Sequence, residues 1–224
     1  QERIRQLGLN MERWRWLPRG ISDRFIVVNT AAFELAIHEN GQSIREMRVI
    51  VGRKGRPTPG IISKVDKLVI NPHWYVPETV LRQDLLPKLK RDRTLLSRKN
   101  LKVFSDLKGN GTEVDPEQVQ WARYGGDTAF PYTLRQEPGP DNALGRVKFL
   151  LPNEQGIYLH DTPAQYLFHR DARALSSGCV RLDEPLTLAR YLLLANGWKA
   201  DDFLKVLRSG KPSAIKLEQP VPIV

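Results

Sequence analysis

Hydrophobic positions in the first twenty residues recur at helical spacing: Ile4, Leu7, Met11 and Trp14 fall on one side of the chain until Pro18 ends the pattern. The spacing predicts an amphipathic lead-in helix within residues 1–20 that packs on an apolar partner, with Trp14 and Trp16 as packing residues. From Phe25 the period changes to two. "FIVVN", "AFELAIHE" and "IREMRVIVG" read as short strands, and "ENGQ" between the last two is a hairpin turn signal, so this part is an antiparallel meander. "GRKGRPTPG" is a loop by its glycines and prolines, and "DKLVINPHWYVP" is a further strand ending at Pro77.

Residues 78–130 follow a different pattern and read as an insertion. "ETVLRQDLLPKLKRD" predicts a helix, and "DPEQVQWARY" a second one with Asp115 as cap and Pro116 in its first turn. The basic run Lys88, Lys90, Arg91 and Arg93 is either a solvated face or a contact for an anionic substrate. Strand patterns resume at "YTLRQEP", "GRVKFLLP" and "GIYLH". A helix capped by Asp183, with Pro185 early and Gly197 behind it, comes next, then one capped near Asp201 that ends at Gly210. The last run, "PVPIV", is β-like with no successor, which suggests that the natural chain continues. The sum is a mixed α/β chain, mainly β, built on one core in residues 21–77 and 131–224.

Length and composition fit that picture: 224 residues, 41% hydrophobic and 27% charged, describe a globular domain and exclude a disordered or fibrous one. No apolar run approaches the roughly 20 residues that cross a bilayer. The net charge of +10 favours an anionic partner without choosing between nucleic acid, lipid headgroups and an acidic polymer. With one cysteine, an intramolecular disulfide and a cysteine-rich zinc cluster are excluded. The four histidines show no paired ligand spacing, so neither a metal nor any other cofactor is expected.

That cysteine, Cys179, is the centre of the chemistry. A lone cysteine is most often a small buried hydrophobe. Its neighbours argue otherwise: Ser176, Ser177 and Gly178 precede it in a tight turn, and Arg181 follows on the same side of an extended segment. Thiol catalysis needs a base and donors for a developing oxyanion, and the amides of Gly178 and Cys179 can serve as those donors. Arg181 either depresses the thiol pKa or holds a substrate carboxylate. His160, closing the strand "GIYLH", leads as the base, with His38, His73 and His169 as competitors.

"YLHDTP" followed by "SSGCVRL" resembles the active-site signature of the L,D-transpeptidases with a YkuD-type catalytic domain. "MERWRWLP", "VNTAAFELAIHENG", "VIVGRKGRPTPG", "NPHWYVP", "LRQEPGPDNALGRVKF" and "FLLPNEQGIYLHDTP" extend the likeness to the long periplasmic branch over nearly the whole chain, most weakly between residues 78 and 125. The resemblance implies a β-sandwich-like catalytic core with residues 78–130 as a mobile helical capping subdomain, and residues 1–20 as the remnant of a preceding scaffold domain. It implies Cys179 as nucleophile, His160 as base, the carbonyl of Asp161 as the group that orients the imidazole, and Gly178 and Cys179 as oxyanion donors. Arg181, Ser176, Ser177, Tyr158 and Trp74 are the implied substrate contacts, although the two aromatics fit packing roles equally well. Many short members carry histidine in place of Ser177 and glycine in place of Asp161. The implied partners are peptidoglycan stem peptides and carbapenem-type inhibitors, met by a periplasmic monomer. The implied reaction is cysteine acyl transfer giving 3→3 cross-links. L,D-carboxypeptidase activity or lipoprotein attachment within the family, and a non-catalytic basic polymer-binding module outside it, are the alternatives.

Overall fold

The structure, a computed structural model, describes residues 1–15, 22–106, 111–125 and 128–224. Helix α1 (Glu2–Arg15) is followed by strands β1 (Arg24–Asn29), β2 (Glu34–Glu39), β3 (Gln42–Gly52), β4 (Ser63–Ile70) and β5 (Trp74–Tyr75). A helical stretch runs through α2 (Glu78–Val80), a π-type turn Leu81–Leu85 and α3 (Leu86–Leu89), with α4 (Thr94–Arg98) after it. Strands β6 (Leu101–Phe104), β7 (Glu113–Val114), β8 (Thr133–Gln136), β9 (Val147–Leu150), β10 (Tyr158–His160), β11 (Ala174–Ser176) and β12 (Val180–Leu182) come next. Helices α5 (Pro185–Leu194) and α6 (Ala200–Arg208) and strand β13 (Ser213–Ile223) complete the order.

Among the described residues nine strands form one sheet in the order β11-β3-β12-β10-β9-β4-β13-β1-β2, which closes on itself because β2 also pairs with β3. Strand β3 is long enough to serve several neighbours: its first half pairs with β2, its second with β12 and β11. The β2–β3 hairpin turns at Asn40 and Gly41, both at positive φ (51° and 78°), the geometry that Asn-Gly supplies at least cost. One hydrophobic core gathers side chains from these strands, among them Ile26, Leu35, Val49, Leu68, Phe149, Leu159 and Val180. Helices α5 and α6 cover it with Leu188, Ala189, Leu192, Leu193, Phe203 and Leu207. The chain is thus mixed α/β and mainly β. The "PVPIV" run forms the end of β13, which pairs with both β4 and β1.

A second, smaller sheet has the order β5-β8-β6-β7 and its own core, centred on Leu85, Leu89, Val103, Trp121 and Leu134. Helix over "ETVLRQDLLPKLKRD" is present. "DPEQVQWARY" forms two 3-10 turns instead, Pro116–Gln118 and Trp121–Arg123. Asp115 still caps the first by accepting from the Glu117 amide, but Trp121 turns inward and its indole donates to the Pro116 carbonyl, which halts the helix. The segment also supplies β6 and β7, which pair with each other, and β6 pairs in turn with β8 from the C-terminal flank, so the smaller sheet draws β5 and β8 from outside residues 78–130.

Three other local readings change. The N-cap of α5 is Glu184 rather than Asp183, whose carboxylate is drawn away to Arg48 across the sheet. The N-cap of α6 is Lys199, while Asp201 lies in the first turn, where it favours the helix dipole. On α1, Ile4, Leu7 and Met11 are 73%, 63% and 61% exposed, so the expected apolar partner is not among the described residues. The Trp14 side chain and Trp16 lie outside the described residues.

Candidate active site

Three adjacent strands build the site. The pairings set Lys148 of β9 opposite His160 of β10, and His160 opposite Arg181 of β12. Residues two apart on a strand share a face, so Tyr158 joins this row from β10, and Cys179, immediately before β12, joins it from the other side. Tyr158 and Cys179 touch, through the tyrosine's backbone and its hydroxyl. The Lys148 ammonium lies 4.0 Å from the centre of the Tyr158 ring, and the Tyr158 and His160 rings are 5.6 Å apart.

His160 is only 6% exposed. Its Nδ1 is 2.5 Å from the carbonyl oxygen of Asp161, and a carbonyl only accepts, so Nδ1 carries the proton and Nε2 is the free, basic nitrogen. Burial, reinforced by the positive charges of Arg181 and Lys148, pushes the imidazole pKa down to about 3. The ring is therefore neutral at pH 7. The Asp161 peptide that holds it is itself anchored, because the buried Asp161 carboxylate accepts from the amides of Arg146 (2.7 Å) and Thr162 (2.6 Å) and from the side chain of Gln165. Gly145 leaves room for that carboxylate; a Cβ there would sit 2.3 Å from it.

Cys179 is partly exposed at the end of its turn. Burial pushes the thiol pKa up, opposed by hydrogen bonding from Tyr158 and by the charges of Lys148 and Arg181. No hydrogen bond joins Cys179 to His160 among those of the described residues. The turn is held from both sides. Ser176, 2% exposed, donates to the Cys179 carbonyl (2.6 Å) and accepts from the Gly178 amide (3.1 Å). Gly178 has φ +121°, where a side chain would be strained, and a Cβ would press on Ile157 at 3.0 Å. Thr58 donates to the Gly178 carbonyl (2.7 Å) while accepting from the Gly52 amide.

The architecture points one way, and the chain's likeness to known proteins agrees: residues 23–214 match the family model of the L,D-transpeptidase catalytic domain, known as YkuD. The chain belongs to the L,D-transpeptidase family. A Haemophilus influenzae protein provisionally named an L,D-transpeptidase is 39% identical over 218 residues, which cover 97% of this chain and 43% of that protein. The chain thus spans less than half the length of that relative. Among solved structures, an L,D-transpeptidase from Mycobacterium smegmatis is similar at 15% identity and a TM-score of 0.42, covering 90% of this chain and 58% of the other. L,D-transpeptidase 3 from Mycobacterium tuberculosis, solved with a faropenem-derived adduct, is similar at 12% identity and a TM-score of 0.42, covering 90% and 60%.

In this L,D-transpeptidase-family chain the fold brings together Cys179, His160, Asp161, Tyr158, Gly178, Ser176, Ser177 and Arg181. Trp74 is not in that group; it packs against the second core from the smaller sheet. The expected pair of oxyanion donors is reduced, because the Gly178 amide is already engaged by Ser176 inside the turn. Of the competing histidines, His38 stacks on Phe25 and His169 is exposed on a 3-10 turn. His73 Nδ1 lies 3.1 Å from the Glu137 carboxylate, without the angle of a hydrogen bond.

Two features beside the candidate site were missed in the sequence. Lys148 sits between Val147 and Phe149 in a run read only as a strand; the alternation already placed it on the outer face, but not in which row. The "GRKGRPTPG" loop carries more than turns. Arg56 donates to Ser177 (3.0 Å) and ion-pairs with Asp84 of the helical segment (2.6 Å), which Arg53 also contacts. Burial would raise the Asp84 carboxyl, but the two guanidinium groups outweigh it and hold its pKa low. The inserted segment is thereby tied to the turn that bears the thiol.

Proposed function

We propose that the chain is a cysteine-dependent L,D-transpeptidase acting on peptidoglycan stem peptides. The observation that carries the reading is the tautomer of His160: with Nδ1–H committed to the Asp161 carbonyl, Nε2 is left as a base on the sheet face that also bears Cys179. Cys179 Sγ attacks the diaminopimelate carbonyl of a donor tetrapeptide as its proton passes to His160 Nε2. The Cys179 amide steadies the oxyanion. The C–N bond then breaks, and His160 returns the proton to the amine of the departing D-alanine, which leaves the stem as a thioester on Sγ. The side-chain amine of a second diaminopimelate displaces the thiolate, forming the new amide of a 3→3 cross-link. Because the resting thiol is protonated and not hydrogen-bonded to the ring, proton transfer accompanies attack, and the contact tightens when substrate is bound.

Water as acceptor would give L,D-carboxypeptidase activity, and a lipoprotein amine would give protein attachment; the contacts of Arg56 with Ser177 and Asp84 support the helical segment as the element that excludes water. We place the protein in the periplasm, where these stems are found, and include carbapenems among its acylating ligands. The test is intact-mass spectrometry after incubation with a defined tetrapeptide muropeptide and, separately, with a carbapenem. A single adduct in each case, absent from Cys179→Ala, is the expected result. No adduct in the unmodified protein, or full function in Cys179→Ala with an affinity that falls steeply with salt, would replace the enzyme with a basic polymer-binding module.

A further inference from the structure

Lys148 and Arg181 flank His160 in one register row, one on each neighbouring strand. Neither is paired with an acid among the described residues, and the Arg181 Nε is buried with no acceptor at all. Elsewhere on the molecule half-buried arginines find acceptors, Arg24 on Glu39 and Arg56 on Asp84 as ion pairs, Arg146 and Arg173 on backbone carbonyls such as those of Leu207 and Val49. Holding two cations out of water without a counter-ion is costly, so this arrangement is complete only when an anion arrives. The Lys148 ammonium is held against the Tyr158 ring, close enough to the thiol for its charge to be felt there.

We propose that Lys148 and Arg181 form the receptor for the free C-terminal carboxylate of the acyl donor, and that Lys148 is a specificity-determining residue. This rests on the acyl-transfer reading given above. In a peptide attacked at its penultimate carbonyl, the terminal carboxylate carbon is three covalent bonds from the reacting carbon, which makes it the acid nearest to Cys179. Arg181, two residues from the sulfur, and Lys148, across β10 from it, bracket the position that this carboxylate takes. The ligand class is therefore a peptide ending in a free carboxylate one residue beyond the acylated carbonyl. Binding also changes the base. The cations add to burial in holding His160 neutral, and a carboxylate between them screens their charge and makes Nε2 a stronger proton acceptor as the substrate docks.

The experiment compares two donors, a tetrapeptide stem ending in D-alanine and the same stem ending in D-alaninamide, by the rate of acyl-enzyme formation read from intact mass. One charge-assisted hydrogen bond predicts that the unmodified enzyme prefers the free acid by about 10- to 100-fold. Lys148→Met reduces that preference to a few-fold, whereas Lys148→Arg, which restores the charge, retains most of it. The ratio cancels any effect of Lys148 on thiol reactivity, and near-UV circular dichroism checks that both variants fold. A Lys148→Met enzyme with the original ratio, or an unmodified enzyme without a preference, overturns the proposal. A second readout needs no acyl transfer: N-acetyl-D-alanine, but not N-acetyl-D-alaninamide, should slow alkylation of Cys179 by iodoacetamide, and Lys148→Met should abolish the protection. Protection without acylation removes the transpeptidase reading and supports the carboxylate receptor, and acylation indifferent to the terminal acid does the reverse.

Discussion

Replacing Ser176 with alanine removes one oxygen and leaves the shape of the side chain otherwise intact. That oxygen has two partners, the Gly178 amide at 3.1 Å and the Cys179 carbonyl at 2.6 Å. Gly178 and Ser176 are both buried, so no water replaces the lost contact to the amide. An orphaned buried donor or acceptor costs about 1–3 kcal/mol; with the carbonyl only partly buried, the two together come to about 2–4 kcal/mol. In a domain of this size each kcal/mol lowers Tm by about 2–4 °C, so Ser176→Ala should melt about 5–15 °C below the unmodified protein. Ser177 is the internal control. It is exposed, its one bond comes from an Arg56 that is also paired with Asp84, and Ser177→Ala should cost under about 1 kcal/mol. Differential scanning calorimetry of both variants at pH 7, with the iodoacetamide alkylation rate of Cys179 as a second reading, makes the comparison. A Ser176→Ala protein that melts no lower than Ser177→Ala would refute the claim that this hydroxyl holds the turn that bears Cys179.

Asp161→Asn must turn an NH2 toward either the Arg146 or the Thr162 amide, both of which are donors, so the peptide holding His160 shifts and acylation should fall more than about 10-fold, while circular dichroism still reports a folded protein. The folded pKa of His160 is about 3 against an ordinary 6.5, so the unfolded chain binds the extra proton between those values and stability falls as pH drops through that window. His160→Gln should flatten that acid limb in thermal melts across pH 6.5 to 3. The same shift predicts that kcat/KM for acylation shows no acidic limb near 6.5. Asp84 has the opposite chemical sense: its carboxylate is favoured in the folded state, so it stabilises above its ordinary value of 3.8 and the benefit is lost as pH falls through the lowered folded value. Asp84→Asn should accordingly lower Tm at pH 7, and by progressively less as pH falls below 3.8.

Local chemistry was enough to write down the turn around Cys179, the strand that ends at His160, the Asn-Gly hairpin and most of the alternating strands. These depend on residues within a few positions of one another, where small side chains, turn glycines and a period of two act directly. The row Lys148–His160–Arg181 depends instead on how β9, β10 and β12 pair, and inter-strand register is a property of the whole closed sheet, to which distant segments such as β2 and β13 contribute. The same is true of Arg56, whose partners Asp84 and Ser177 are 28 and 121 residues away, and of Asp183, which its neighbours mark as a helix cap until Arg48 arrives from β3. The sequence by itself determined which reactive groups the chain carries and the local turn that holds Cys179. The fold decided which charges surround them, because electrostatics acts through space and chain order says nothing about who stands across the sheet.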